Sequence, residues 1–187
     1  MSRQATDNSE MPAKLRLRLD ALAQVSSPEP RVLDAYGGTG RLWEAVRRQS
    51  DRPLNVLAID KRPDAPWHTI RGDNLKVLPS LDLAAFDLID LDAYGVPSTQ
   101  LAIVAEKAPD VPVFVTCILS HQGPVPHRVL AANGIPPEWS KMTISLFRRL
   151  SWTELWDNYC AHLGYRRRRG YTIRGTGMLK RYDVLTR

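Results

Sequence analysis

Hydrophobic and polar positions along this chain follow two rhythms, and their alternation predicts the fold class. RVLDAY (31–36), LNVLAID (54–60), FDLIDLD (86–92) and VPVFVTCIL (111–119) are short apolar runs bounded by turn residues, the pattern of buried strands. HTIRG (68–72) predicts a shorter strand. Between them RLWEAVRRQ (41–49), with Leu42 and Val46 four apart, and STQLAIVAEK (98–107), with Ser98 as its cap, read as helices. Residues 12–25, PAKLRLRLDALAQV, predict a first helix with Pro12 in its opening turn and Leu15, Leu19 and Leu22 at helical spacing. Leu17 falls off that stripe, and the Leu-Arg alternation around it also permits a strand. Strands alternating with helices at this spacing predict an α/β, doubly wound, mostly parallel sheet.

The rhythm changes after residue 119. Residues 120–140 are rich in proline and glycine and read as a long functional loop. Residues 141–163 predict a long helix held by Trp139, Trp152 and Trp156. YRRRRGYTIR (165–174) and MLKRYDVLTR (178–187) then predict two strands of a hairpin joined by GTG (175–177). Residues 1–11 are polar and aperiodic and read as a disordered tail, leaving 12–187 as a single domain.

Composition narrows the class. Among the 187 residues, 43% are hydrophobic and 25% charged, which is globular rather than disordered. No apolar run reaches the ~18–20 residues of a membrane span, and the start carries no secretory signal. The two cysteines, Cys117 and Cys160, form no disulfide framework and no paired metal-ligand spacing, so an intracellular, cytoplasmic setting without a metal is expected. His68, His127 and His162 show no metal spacing with one another either.

In an open α/β sheet, ligands bind beyond the carboxyl ends of the strands. Here those ends carry YGGTG (36–40), Asp60, GDN (72–74) and DAYG (92–95). A dinucleotide dehydrogenase is disfavoured, because Trp43 stands at the third glycine position of G-x-G-x-x-G, where close helix–strand packing is needed. A phosphate loop is excluded because no lysine follows the glycines.

VLDAYGGTG, Asp60, GDN and FDLIDLDAYG, in this order and spacing, resemble the first four motifs of class I S-adenosylmethionine-dependent methyltransferases. The resemblance covers residues 31–119 well and the remainder in outline. It implies a seven-stranded Rossmann-like sheet ending in an antiparallel hairpin, a single methyltransferase domain and S-adenosyl-L-methionine as cofactor. It further implies that Asp34 meets the methionine ammonium, Gly38 and Gly40 give the cofactor room, Asp60 accepts the ribose hydroxyls, and Asp73 with Asn74 faces the adenine. Tyr36, where most of the family has glycine, resembles the nucleic-acid methyltransferases, in which the ring lies beside the cofactor.

FDLIDLDAYGVP looks closest to the D-P-Y-G form of the tRNA guanosine dimethyltransferases, with Ala93 in place of proline. An exocyclic amine is a poor nucleophile because its lone pair is delocalised. A carboxylate accepting its hydrogen restores that density, which implies Asp92 as the catalytic acceptor and Tyr94 as the stacking partner of the base. The expected function is therefore methylation of a nucleobase amine, with RNA ahead of DNA. A small-molecule methyltransferase and a weakly active cofactor-binding partner subunit are the competing readings. Charge adds to the picture. The net charge is +6, and residues 148–187 hold ten basic and three acidic side chains. Such an excess attracts polyanions, and Arg166, Arg167, Arg168 and Arg169, with His121 beyond the fifth strand, are the candidate substrate contacts. No large target-recognition domain is evident, so a protein partner for target recognition is a further expectation.

Overall fold

The computed structural model describes residues 10–62, 70–120, 125–136, 152–175 and 178–187. Seven strands form one sheet: β1 (Arg31–Asp34), β2 (Asn55–Asp60), β3 (Ile70–Arg71), β4 (Leu88–Asp92), β5 (Val113–Ser120), β6 (Arg166–Gly175) and β7 (Met178–Thr186). Their order is β3-β2-β1-β4-β5-β7-β6, with β7 antiparallel to both neighbours and every other pair parallel. The expected mixed sheet with its terminal antiparallel hairpin is thus observed. The helices are α1 (Met11–Leu22), α2 (Arg41–Gln49), α3 (Asn74–Val77), α4 (Ser98–Lys107), α5 (His127–Ala132) and α6 (Trp152–His162).

The central strands β1, β4 and β5 bury both faces, as their near-continuous apolar composition requires. Leu33, Ile89 and Val115 point into a core shared with α4, α5 and α6, where Trp152 and Trp156 are buried, as is Cys117. Val32, Leu88 and Phe114, one residue out of phase, point into a second core shared with α1 and α2.

Several expectations are corrected in detail. The buried face of α1 is Lys14, Leu17, Arg18, Ala21 and Leu22, so the residue set aside as off the stripe is central to it. Leu15 and Leu19 only flank this core. Ser98 does not cap α4: Pro97 holds the cap position, and Ser98 lies buried inside the first turn. The stretch expected to be loop over 120–140 contains α5. The expected helix at 141–163 is described from Trp152 onward. Residues 1–9 of the expected tail, His68, His121 and Trp139 lie outside the described residues.

Register decides which residues share an edge. Asp34 lies opposite Asp90, Asp60 opposite Arg71, and Asp92 opposite Thr116, so the carboxylates gather at the carboxyl edge of the parallel strands. At the other edge, Val113 at the start of β5 pairs with Leu185, which pairs in turn with Arg167. The arginine run therefore stands at the amino edge of β5, about a strand's length from Asp92.

Candidate active site

The four strand ends meet in one cleft of about 450 Å³, a volume typical of a cofactor or small-ligand site. Asp34, Tyr36, Gly38, Gly40, Asp60, Asp73, Asn74, Asp92 and Tyr94 all line it. Met11 and Lys14 of α1 close one side. Arg166 to Arg169 are not brought to it.

The glycine loop is shaped by backbone geometry. Gly38 and Gly40 adopt φ of 58° and 72°, the left-handed region that side chains resist. Gly37, not singled out from the sequence, is needed for close packing: a Cβ there would sit 3.0 Å from the Ala58 Cβ. The loop then enters α2, and Trp43 buries its indole on α1's side of the sheet.

Asp60 holds the loop while keeping capacity for a ligand. One of its oxygens accepts the Gly38 N–H at 2.7 Å, the other the Arg62 N–H at 2.8 Å. The second oxygen also accepts from the Arg62 guanidinium at 3.4 Å, so of the two bonds each oxygen can accept, one on the first stays open to a hydroxyl and a second hydroxyl is met by exchange with that long bond. Asp73 is the N-cap of α3, its side chain accepting the Leu75 N–H at 2.9 Å. Asn74 is a brace: its amide donates to the Ala35 carbonyl at 2.9 Å and accepts from Gln100 at 3.0 Å, tying β1 to α4. Tyr36 rests against Asn74, and burial pushes its phenol up to about 12.

A charged network that the sequence reading did not assemble lies behind Asp34 and Asp92. Arg18 is fully buried and donates twice to Asp90, at 2.7 and 3.0 Å. It also donates to Asp92 at 3.3 Å, and its guanidinium stacks 3.8 Å from the Phe114 ring centroid. Trp43 donates its indole N–H to Asp90 at 2.8 Å. The side chain that disfavours a dinucleotide fingerprint thus satisfies a buried carboxylate. Lys14 donates to both oxygens of Asp92 at 3.0 Å. Burial, then the neighbouring Asp90, raises the Asp34 carboxyl well above the ordinary carboxylate range, although it accepts the Tyr36 N–H at 3.0 Å. Asp90 is raised too, chiefly by burial. For Asp92 burial acts upward, but Arg18 and Lys14 outweigh it and hold the group below its usual range.

The turn after β4 explains Ala93. Its N–H donates to the Leu91 carbonyl at 2.8 Å, closing a tight three-residue turn that a proline has no donor to make. Gly95 at φ 137° then returns the chain, its carbonyl accepting the Ile118 N–H at 2.8 Å. Between them Tyr94 is two-thirds exposed at the cleft mouth.

The arginine run is engaged elsewhere. Arg167 pairs with buried Asp183 at 2.7 Å, Arg169 with Asp20, and Arg168 donates to Gln24. Among the described residues no group of three metal-ligating side chains occurs, and no helix is long and apolar enough to cross a membrane.

No protein-family model matches the chain, and no curated protein does. Solved structures do. The cyclopropane synthase MmaA2 of Mycobacterium tuberculosis is 12% identical, with a TM-score of 0.58 over 100% of this chain and 87% of its own. A S-adenosylmethionine-dependent methyltransferase of Geobacter sulfurreducens, solved with S-adenosyl-L-homocysteine, is 14% identical, with a TM-score of 0.58 over 94% and 91%. TYW2 of P. horikoshii, in complex with MeSAdo, is 15% identical, with a TM-score of 0.54 over 94% of this chain but 62% of its own. At these identities the likeness is one of architecture, and the fold of this chain is that of the class I S-adenosylmethionine-dependent methyltransferases.

Proposed function

We propose that this protein is a methyltransferase that moves the methyl of S-adenosylmethionine to a nucleobase amine, in RNA ahead of DNA, inside the cell. The observation that carries the reading is the convergence of the nine candidate residues from the four motifs on one cleft. The donor chemistry fits the cofactor. Asp60 keeps one open acceptor position and can take a second ribose hydroxyl in place of the long Arg62 guanidinium bond, Asp34 is a buried carboxyl ready to ionise against an ammonium, and the glycine loop admits a ligand against its backbone. Bound there, the cofactor supplies an electrophilic sulfonium methyl.

The chain's own residues account for the rest. Tyr94, exposed at the mouth, offers a ring on which a base can stack. Asp92 on the cleft wall offers a carboxylate that holds the target amine and accepts its proton. The tight turn at Ala93 sets Asp92 and Tyr94 in fixed relation without a proline. The sheet-edge position of the arginine run supports a second reading, a small-molecule methyltransferase, since these cations do not reach the cleft.

Tritium transfer from labelled cofactor onto total tRNA, genomic DNA and a small-molecule extract distinguishes the two. The first reading expects label in nucleic acid, and label confined to small molecules overturns it. Asp92→Asn should cut transfer about a hundredfold or more, the usual contribution of a positioned base, while cofactor affinity stays within a few-fold. Near-normal turnover would make Asp92 a turn residue only.

A further inference from the structure

The side-chain amides of Asn74 and Gln100 are oriented from one end by a backbone carbonyl. The Ala35 carbonyl can only accept, so the arm of Asn74 that meets it at 2.9 Å is the NH2, and Oδ1 is the arm left over. Gln100 meets that oxygen at 3.0 Å and must present its own NH2. Turning either amide over would set two oxygens against each other. The chain from Ala35 through Asn74 therefore fixes which arms Gln100 has to spare. These are the Oε1 acceptor and the second N–H, neither of which has a partner among the described residues.

Gln100 lines the cleft from the first turn of α4, outside the four motifs. Leu75, the chain neighbour of Asn74, lines the same cleft and is 41% exposed, an apolar surface suited to a ring. Asp60 lies opposite Arg71, two residues before Asp73, so the carboxylate that suits the ribose ends its strand beside α3. A base attached to that ribose thus has Leu75 and the Gln100 amide for neighbours. Oε1 calls for a donor on the base, and a glutamine amide pairs with the amino edge of adenine for that reason. A 6-oxo purine would set its oxygen against Oε1. Gln100 cannot turn over to meet it without losing its bond to Asn74.

We propose that Gln100 is the specificity residue for the purine of the cofactor, its Oε1 accepting from the 6-amino group, and that the Ala35–Asn74–Gln100 chain makes the cleft reject a 6-oxo purine. This rests on the reading of the cleft as the S-adenosylmethionine site. It deepens that reading by moving the recognition of the amine from the motif acid Asp73 to a residue of the following helix. Asp73 spends its side chain as the cap of α3, accepting the Leu75 N–H. Its part is to set the turn that delivers Asn74 to Ala35 and Gln100.

The test uses the full chain and two ligands that differ only in the purine. They are S-adenosyl-L-homocysteine and S-inosyl-L-homocysteine, which carries an oxygen in place of the 6-amino group. Both are titrated by calorimetry into the wild type, Gln100→Met, Gln100→Glu and Asp73→Ser. The wild type should prefer the adenosyl compound by at least about tenfold, the discrimination of one well-placed amide. Gln100→Met, which has no acceptor, should erase the preference. Gln100→Glu, which keeps an acceptor and has no amide to turn over, should retain it. Asp73→Ser, which keeps a capping oxygen for α3, should retain it as well. Equal affinity of the wild type for the two ligands overturns the proposal, as does a preference that survives Gln100→Met or is lost in Gln100→Glu. A preference lost in Asp73→Ser also overturns it and returns the amine to Asp73. No binding of either ligand by the wild type overturns the cofactor reading itself, and the proposal with it.

Discussion

The two ends of the sheet use the same residue types to opposite effect. At the carboxyl edge, Arg18 and Lys14 meet Asp90 and Asp92 almost out of water, and the cleft is built on them. At the amino edge, Arg169 meets Asp20 and Arg168 meets Gln24 on an open surface. A buried charge without its partner is unfavourable by several kcal/mol, so the first set fixes where α1 lies and how the acids are held. Exposed pairs exchange readily with water and ions and fix little. A run of four arginines draws the eye in the sequence, but Lys14 and Arg18 on α1 shape the site.

That contrast is sharpest in stability. Arg18→Met should remove about 3–5 kcal/mol, read by denaturant unfolding, because Asp90 would be left buried and charged. Arg169→Gln should cost at most about 1 kcal/mol by the same measurement, since its pair with Asp20 is largely exposed. Similar losses in both variants would erase the distinction between the two ends.

Acidity separates the ends next. Asp34 is held above the ordinary carboxylate range by burial and Asp90, so the folded protein keeps its proton longer than the unfolded chain does. That contribution to stability is present at acid pH and is lost as pH rises through the raised Asp34 value. Asp92, held low, contributes in the opposite sense: its share is present above the unfolded value and is lost as pH falls through the lowered one. If Asp34 meets the cofactor ammonium, binding favours its ionised form. Affinity should then climb as pH rises above the ordinary carboxylate range and level off once Asp34 is ionised, with a proton released on binding below that plateau. Calorimetry in buffers of different ionisation enthalpy reads that proton, and Asp34→Asn should abolish it. Buffer-independent heats across the acid range would remove Asp34 from the ammonium site.

The smallest effect is expected from the arginine run. If all four contacted phosphates, replacing Arg166 to Arg169 by glutamine would lower the slope of log affinity against log salt by about 2.8 on single strands, at about 0.7 per contact. With Arg167, Arg168 and Arg169 engaged by Asp183, Gln24 and Asp20, a change no larger than one contact's worth, about 0.7, is expected, with cofactor affinity unaltered. A fall near the full value would lay the nucleic acid across the amino edge of β5 and extend the substrate surface far beyond the cleft.

How much of this was legible beforehand follows the same division. The strand ends were readable because each acid or glycine closes an apolar run, and the topology of such sheets brings those ends together. The role of α1 was hidden because apolar periodicity does not count Lys14 and Arg18, two of its five buried positions. Their partners, Asp90 and Asp92, lie more than seventy positions further on. The signal was there in weak form: lysine and arginine four apart share a helix face, and Asp90 shares a strand face with Asp92. Asp90 read as strand interior because nothing local marks a buried acid as partnered. Ala93 read as a departure because the turn it makes depends on a backbone hydrogen bond to Leu91. The placement of the arginines depended on the β6–β7 register, and composition says nothing about which end of a sheet a charge run occupies.

The central claim is that the cleft at the carboxyl edge takes S-adenosylmethionine, and calorimetric titration of the wild type and Asp60→Ala with S-adenosyl-L-homocysteine tests it most directly. The wild type should bind this ligand saturably, one to one. Affinity should be at least tenfold weaker in the variant, because two ribose hydroxyls lose a shared acceptor at a cost of roughly 1–3 kcal/mol. No binding by the wild type, or equal affinity in the two proteins, would contradict it.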